Sequence, residues 1–206
     1  MAIDTVLFDA DGVLQHPSVR WREAFQPILG TSEKARLEPF LHDMLAAETA
    51  SLCTPSGFEG ALAAVLCKWH CPERLTDALH ALNAIDVDED VMHVIRSLRR
   101  AGVNCHLASN QQAHRARHMS EVLNYSSLFG REFYSCFLGV AKPEVEFFER
   151  VLRMLSLRGN TVLFLDDREE NVKAARQAGL AAAVYAGTDG APTLKRVLAE
   201  HGLRVA

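Results

Sequence analysis

Short apolar runs alternate with stretches of helical periodicity along the second half of the chain. Apart from a first run at residues 5–8, buried strands are predicted at residues 103–108, 133–137, 162–165 and 181–185. Apolar residues at helical spacing predict intervening helices at residues 88–102, 112–123, 145–159 and 170–178. Strands that alternate with helices form parallel sheets covered on both faces. The pattern therefore predicts an α/β fold with a Rossmann-like parallel sheet.

Residues 15–87 lose the strand pattern. Apolar residues at helical spacing predict helices there around residues 21–29, 37–45, 62–69 and 75–82, with turn residues between them. We therefore expect a core built from residues 1–14 and 88–206. The helical segment, residues 15–87, is expected to be an all-helical insertion after the first strand.

Composition and charge narrow the possible partners. The 206 residues are 49% hydrophobic and 23% charged, which is ordinary for a soluble globular protein. A formal net charge of -4 shows no excess of basic residues, so nucleic acid is not an expected partner. No signal peptide or membrane-spanning run is recognisable. The five cysteines are odd in number and form no Cys-x-x-Cys pair, which favours reduced thiols and a cytoplasmic location.

Polar side chains follow the predicted strands where each strand ends. They are Asp9 and Asp11 after the first strand, Ser109 and Asn110 after the second, Lys142 beyond the third, and Asp166 and Asp167 after the fourth. Taken singly, each could be a turn or a helix cap. Together they lie at one edge of the sheet, where open parallel α/β sheets bind ligands. We therefore expect the active site at this edge.

These residue types suit phosphoryl transfer. Carboxylates at Asp9 and Asp167 are suitable ligands for Mg²⁺, which binds through few carboxylates and substrate phosphate. The Lys142 ammonium would help to neutralise the phosphate, and Ser109 and Asn110 would donate to its oxygens. An aspartate nucleophile would split hydrolysis into two steps through an aspartyl-phosphate.

The second acid of the first motif has its own predicted role. Asp11 can give a proton to the leaving alkoxide and then take one from the attacking water. A calcium loop is excluded because Val13 and Arg20 stand where it needs an oxygen ligand and a glutamate. A zinc site at Cys67 and Cys71 is disfavoured because no second ligand pair has a matching spacing.

Four motifs together resemble the haloacid dehalogenase superfamily. They read Phe-Asp-Ala-Asp-Gly-Val-Leu at residues 8–14, Ala-Ser-Asn at 108–110, Lys-Pro-Glu at 142–144 and Leu-Asp-Asp-x-x-x-Asn-Val at 165–172. The last two forms are similar to those of sugar-phosphate phosphatases and the phosphatase domain of epoxide hydrolases. The resemblance covers nearly the whole chain, and it implies that the helical segment is a cap that closes over the site.

The resemblance also implies a role for each motif residue. Asp9 would be the nucleophile, and Asp11 the general acid/base, with its backbone carbonyl in the metal shell. Ser109 and Lys142 would hold the phosphoryl group. The second metal-binding acid would be Asp167. Asp166 and Asn171 would lie beyond the metal ligands and hold them in position.

The expected activity is Mg²⁺-dependent hydrolysis of a small phosphorylated metabolite, such as a sugar phosphate. Three alternatives stay open. A phosphomutase would use the same core. A 2-haloacid dehalogenase is disfavoured because a departing halide needs neither a metal nor an acid at Asp11. A non-catalytic phosphate-binding module, such as a receiver domain, would carry its acidic pair on the first strand and its acceptor later, the reverse of the order here.

Overall fold

The structure is a computed structural model that describes residues 2–204. Its strands are β1 (Thr5–Phe8), β2 (Gln15–Pro17), β3 (Ile85–Val87), β4 (Asn104–Ser109), β5 (Glu132–Tyr134), β6 (Val162–Asp166) and β7 (Ala181–Val184). Five of them form a parallel sheet in the order β5-β4-β1-β6-β7. The predicted α/β class is confirmed.

Helices connect the strands and cover the sheet. They are α1 (Trp21–Leu29), α2 (Lys34–Ala50), α3 (Phe58–Lys68), α4 (Leu75–Leu82), α5 (Glu89–Arg100), α6 (Ala113–Glu121), α7 (Tyr125–Leu128), α8 (Ser135–Leu138), α9 (Val145–Leu155), α10 (Glu169–Gln177) and α11 (Gly190–Glu200). Asp88 caps the N-terminus of α5, because its carboxylate accepts from the backbone N–H of Val91 at 3.0 Å. Among the described residues, no helix is both long and apolar enough to cross a membrane.

Strand β1 is buried on both faces, and this fixes the position of the acidic residue that follows it. Val6 and Phe8 pack into one hydrophobic core with α5, α6 and α11, whereas Leu7 packs into a second core with α9 and α10. Burying an apolar side chain of this size stabilises the fold by about 1.5–3 kcal/mol. The ladder continues to Asp9, whose N–H donates to the Leu165 carbonyl at 2.9 Å. Asp9 is therefore held at the carboxyl edge of the sheet.

The helical segment has a hydrophobic core of its own. Phe25, Phe40, Leu62 and Leu82 are buried together in it, one from each of α1 to α4. The prediction that the segment contains no strand is wrong at its two ends. There β2 and β3 form an antiparallel ribbon in which Gln15 faces Val87. Strands of three residues are too short to show a readable alternation, and these partners lie far apart in the chain.

The predicted strand at residues 133–137 is also wrong in its second half. Strand β5 ends at Tyr134, and α8 begins at Ser135. The hydroxyl of Ser135 accepts from the backbone N–H of Gln111 at 3.1 Å, which ties the turn to the end of β4. Aromatic residues such as Phe137 suit a strand as well as a helix, so composition does not reveal where the strand stops.

Candidate active site

The polar residues that follow the strands surround one cavity of about 280 Å³. Its lining comprises Asp9, Asp11, Gly12, Ser109, Asn110, Lys142, Asp167, Arg168 and Asn171. The site residues predicted from the sequence therefore lie together, except that Asp166 is buried behind this surface. The cavity lies at the carboxyl ends of β1, β4 and β6, where an open parallel sheet places its ligand.

A buried lysine joins two buried carboxylates at the centre of the site. Lys142 Nζ lies 2.8 Å from Asp9 Oδ1 and 2.7 Å from Asp166 Oδ2. Burial raises the pKa of Asp9 to about 7, although the Lys142 ammonium opposes that shift. For Lys142 the two carboxylates outweigh burial and raise its pKa. One ammonium cannot neutralise two buried carboxylates, so this centre favours a further positive charge.

Two amides hold this centre in position. Asn171 Nδ2 donates to both carboxylate oxygens of Asp166, at 2.9 and 3.0 Å. The Asn110 side chain donates to the Lys142 carbonyl at 2.7 Å and accepts from the Lys142 N–H at 2.9 Å. Asn110 therefore fixes the backbone that carries the lysine, and its predicted contact with phosphate stays a prediction. Ser109, at the end of β4, is buried beside the same cavity.

Asp167 lies on the exposed side of the site, against the turn that follows β1. Burial raises its pKa, and the negative charge of Asp166 adds to the shift. Gly12 has a φ of 79°, and a Cβ atom on it would lie 2.4 Å from Asp167 Oδ2. The positive φ therefore favours a glycine here, and a Cβ atom would displace the Asp167 carboxylate from its position.

The donor set at this edge fits a magnesium ion. Carboxylate oxygens of Asp9, Asp166 and Asp167 all lie within 4.8 Å of one another. Hard oxygen ligands of this kind suit Mg²⁺. The Oδ1 atom of Asn171 is also buried without a hydrogen-bond partner, although it belongs to a residue that lines the cavity. Buried polar atoms are normally satisfied, so a bound ion with its waters is consistent with this arrangement.

The Asp11 side chain has partners that sequence analysis missed. Arg115 of α6 binds it with two nitrogens, each 2.7 Å from a different carboxylate oxygen. Gln111 Nε2 donates to Asp11 Oδ2 at 2.5 Å, and Gln15 Nε2 donates to Oδ1 at 2.9 Å. No sequence signal identified Arg115, because its burial on α6 next to Ala116 appears only in the structure.

A carboxyl group of the helical segment lies close to this pair. Burial raises the pKa of Glu48, on α2, to about 7, while the charge of Arg115 opposes the shift and that of Asp11 adds to it. The same segment contacts α6 at a second point, where Asn83 Nδ2 lies 2.9 Å from His114 Nε2. Helix α2 thus brings a carboxyl group towards Asp11 and Arg115, and the residue after α4 contacts α6. The sequence pattern identified neither contact.

Comparison with known proteins gives a family and a set of structural neighbours. The model of the haloacid dehalogenase-like hydrolase family matches residues 3–179. A sesquiterpene phosphatase of Aspergillus oryzae is 31% identical over 93 residues, which are 45% of this chain and 47% of that protein. Flavin mononucleotide hydrolase 1 of Arabidopsis thaliana is 30% identical over 87 residues, which are 42% of this chain and 34% of that protein. The chain thus matches less than half the length of either curated relative.

Solved structures share the fold over nearly the whole chain. A haloacid dehalogenase family enzyme of Bacteroides thetaiotaomicron, in complex with magnesium and inorganic phosphate, superposes with a TM-score of 0.72 and 22% identity, covering 90% of this chain and 96% of that one. A 2-haloacid dehalogenase of Pseudomonas syringae gives a TM-score of 0.67 and 20% identity, with coverages of 91% and 88%. At such identities the likeness shows the fold alone.

Proposed function

This chain belongs to the haloacid dehalogenase-like hydrolase family, and on that premise we propose that it is a Mg²⁺-dependent phosphomonoester hydrolase. Its substrate would be a small phosphorylated metabolite. Both curated relatives are named for hydrolysis of such compounds, a sesquiterpene phosphatase and a flavin mononucleotide hydrolase. A bound magnesium ion would be held by Asp9 and Asp167 with the backbone carbonyl of Asp11, and it would neutralise charge on the phosphoryl group.

The observation that carries the proposal is the buried contact of Lys142 with Asp9 at 2.8 Å. An anionic carboxylate can approach an anionic phosphate only where positive charge compensates both. Lys142 supplies one such charge, and the donor set around Asp167 suits a second. These features support Asp9 as the nucleophile, with Lys142 and Ser109 as ligands of the phosphoryl oxygens.

The reaction would proceed in two steps. A carboxylate oxygen of Asp9 forms a bond to phosphorus while the bond from phosphorus to the leaving oxygen breaks, and that oxygen takes a proton from Asp11. A water oxygen then attacks phosphorus, the bond to Asp9 breaks, and Asp11 takes the proton from the water. Inorganic phosphate and the alcohol leave, and both aspartates return to their starting state.

We also propose that the helical segment acts as a cap domain, separate from a core of residues 1–14 and 88–206. Its own hydrophobic core supports this division, and so does the β2–β3 ribbon through which the chain enters and leaves it. The contact of Asn83 with His114 on α6, the helix that carries Arg115, supports a place beside the site. A cap in this position would exclude water from the phosphorylated aspartate and contact the leaving group.

A 2-haloacid dehalogenase is the alternative suggested by structural neighbours, and Asp11 argues against it. Halide leaves without a proton, so such an enzyme has no use for a carboxyl group held beside the nucleophile. The carboxylate of Asp167 and the uncompensated charge around Lys142 also favour a cation together with a phosphate.

Phosphate release from a panel of phosphomonoesters tests the proposal. The panel includes sugar phosphates, flavin mononucleotide, an isoprenoid monophosphate and p-nitrophenyl phosphate, each with Mg²⁺ and with EDTA. We expect Mg²⁺-dependent release that Asp9→Asn abolishes. Release that survives Asp9→Asn would contradict the nucleophile assignment. Isomerised substrate without free phosphate would instead identify a mutase, and chloride release from a 2-chloroacid would identify a dehalogenase.

A further inference from the structure

The carboxylate of Asp11 accepts more hydrogen bonds than a solvent-exposed acid requires. Two come from Arg115 and one each from Gln111 and Gln15, at distances between 2.5 and 2.9 Å. All three donor residues are buried, and the Arg115 side chain is only 9% exposed. Asp11 itself keeps 37% of its side chain exposed and lines the cavity. The donors therefore lie behind the carboxylate, on the side away from the cavity opening.

The donors are themselves fixed by further contacts. The hydroxyl of Tyr125, from α7, donates to Gln15 Oε1 at 2.8 Å. Arg115 also donates to Gln111 Oε1 at 3.4 Å, and Gln111 Nε2 lies 3.4 Å from Ser109 Oγ. The network thus connects Asp11 with Ser109, a second residue of the cavity. Its members come from the turn after β1, the start of β2, the segment at the end of β4, α6 and α7, so their packing against one another sets the carboxylate's orientation.

Burying an arginine has an energetic cost that a well-packed apolar residue would avoid. A buried ion pair is often no more stable than hydrophobic residues of the same volume. The pair instead fixes the orientation of the carboxylate, because the planar guanidinium binds both carboxylate oxygens in one plane. Lysine, a single point charge, cannot impose that plane. The geometry at Asp11 therefore suits a requirement for orientation rather than for stability.

We propose that Arg115 is a positioning residue, which orients the Asp11 side chain so that its protonated form gives a proton to the leaving group and its carboxylate form takes one from the attacking water. This inference rests on the proposed phosphatase activity. Gln111 and Gln15 complete the support, and Arg115 itself is not among the residues that line the cavity. Misorientation by a fraction of an ångström lowers the rate of a proton transfer while leaving substrate binding intact.

Two substrates separate the two proton transfers. p-Nitrophenolate leaves as an anion and needs no proton, whereas the alkoxide of an alkyl phosphate needs one from Asp11. Hydrolysis of the phosphorylated Asp9 needs Asp11 as a base with either substrate. Loss of orientation should therefore spare p-nitrophenol formation in the first turnover, and slow every later step with both substrates.

The experiment compares Arg115→Met with the wild-type enzyme by stopped flow and by steady-state assays. With p-nitrophenyl phosphate we expect a burst of about one p-nitrophenolate per active site, formed within about twofold of the wild-type rate. Steady-state kcat should fall about tenfold to a hundredfold. KM should fall with it, because the unchanged phosphorylation step leaves kcat/KM nearly constant. With an alkyl phosphate, formation of the phosphorylated enzyme itself should slow by a similar factor.

Matched variants separate positioning from general damage to the fold. Arg117→Met makes the same change at an exposed residue of α6 and should leave all rates unchanged. Arg115→Lys keeps the buried charge but loses the bidentate geometry, so it should fold and still lack most of the activity. Gln111→Leu removes one of the four donors and should lower kcat by a smaller factor.

Each remaining outcome overturns the inference. Wild-type rates in both Arg115→Met and Arg115→Lys would show that the contact does not affect catalysis. A faster enzyme would show that Arg115 restrains Asp11 instead of presenting it. Equal losses in the burst and in all later steps would indicate a structural role. An inactive wild-type enzyme would overturn the proposed function as well, whereas an active one with unchanged variants would overturn the role of Arg115 alone.

Discussion

Replacing Lys142 with methionine removes the one ammonium group that two buried carboxylates share. The lysine side chain is 1% exposed, and its Nζ lies within 2.8 Å of both Asp9 and Asp166. Methionine has a similar length and fills the same space, so the change acts mainly on charge. Without the ammonium, two carboxylates must either stay ionised beside each other or bind protons at neutral pH.

The expected loss follows from the cost of an unpaired buried charge. Breaking a buried ion pair by removing one partner destabilises a protein by about 3–5 kcal/mol. Each contact of Lys142 represents about 6 kcal/mol of Coulomb attraction at an effective dielectric constant of 20, and desolvation offsets much of it. We therefore expect Lys142→Met to lower the free energy of unfolding by about 3–5 kcal/mol, and to abolish phosphate release.

Urea unfolding at pH 7.5 in EDTA measures this difference. Lys173→Met is the matched control, because that exposed lysine pairs with Glu169 at 3.7 Å on the surface of α10. It should change the free energy of unfolding by less than about 1 kcal/mol. The double variant Lys142→Met/Asp166→Asn should recover part of the loss, since it removes one of the unpaired carboxylates. Unfolding of Lys142→Met at the wild-type urea concentration would show that the buried ammonium does not stabilise the folded state.

Three further predictions concern pH, the turn after β1 and the metal. Burial lowers the pKa of His106, and the charges of two nearby arginines add to the shift. The folded state therefore binds fewer protons than the unfolded state, so stability falls as the pH drops below about 6.5. The urea midpoints at pH 5.5 and 7.5 should lie closer together in His106→Phe than in the wild type. Gly12→Ala should lose more stability and activity than Gly30→Ala, because both glycines have positive φ but nothing lies within 4 Å of a Cβ on Gly30; equal losses in thermal melts would contradict the contact with Asp167. Mg²⁺ at about 100 times its dissociation constant should stabilise the wild type by about 2.7 kcal/mol. The stabilisation is measured as a rise in melting temperature. Asp167→Asn should show a much smaller rise at the same Mg²⁺ concentration.

Local patterns explain why so much of the sheet and the cavity could be predicted. Apolar runs such as residues 162–165 identify a buried strand directly. The chain topology then brings the residues after each strand to one edge, so Asp9 and Lys142 could be expected near each other without knowledge of side-chain contacts. Residues whose role depends on strand ends are therefore accessible from sequence.

Features that depend on distant partners could not be predicted in this way. The β2–β3 ribbon joins Gln15 to Val87, and nothing local to either residue indicates that pairing. Arg115 reads as one more polar residue of a helix until the fold places Asp11 against it. Glu48 likewise gains its position from the packing of the helical segment, a tertiary property that periodicity does not contain.

In the proposed mechanism, Asp9 becomes phosphorylated during turnover. Rapid acid quenching of the enzyme with Mg²⁺ and a ³²P-labelled phosphomonoester, followed by peptide mapping, tests it most directly. We expect label on the peptide that contains Asp9, absent from Asp9→Asn and accumulated in Arg115→Met. Turnover of the substrate without protein-bound label, or label on a different residue, would contradict the account.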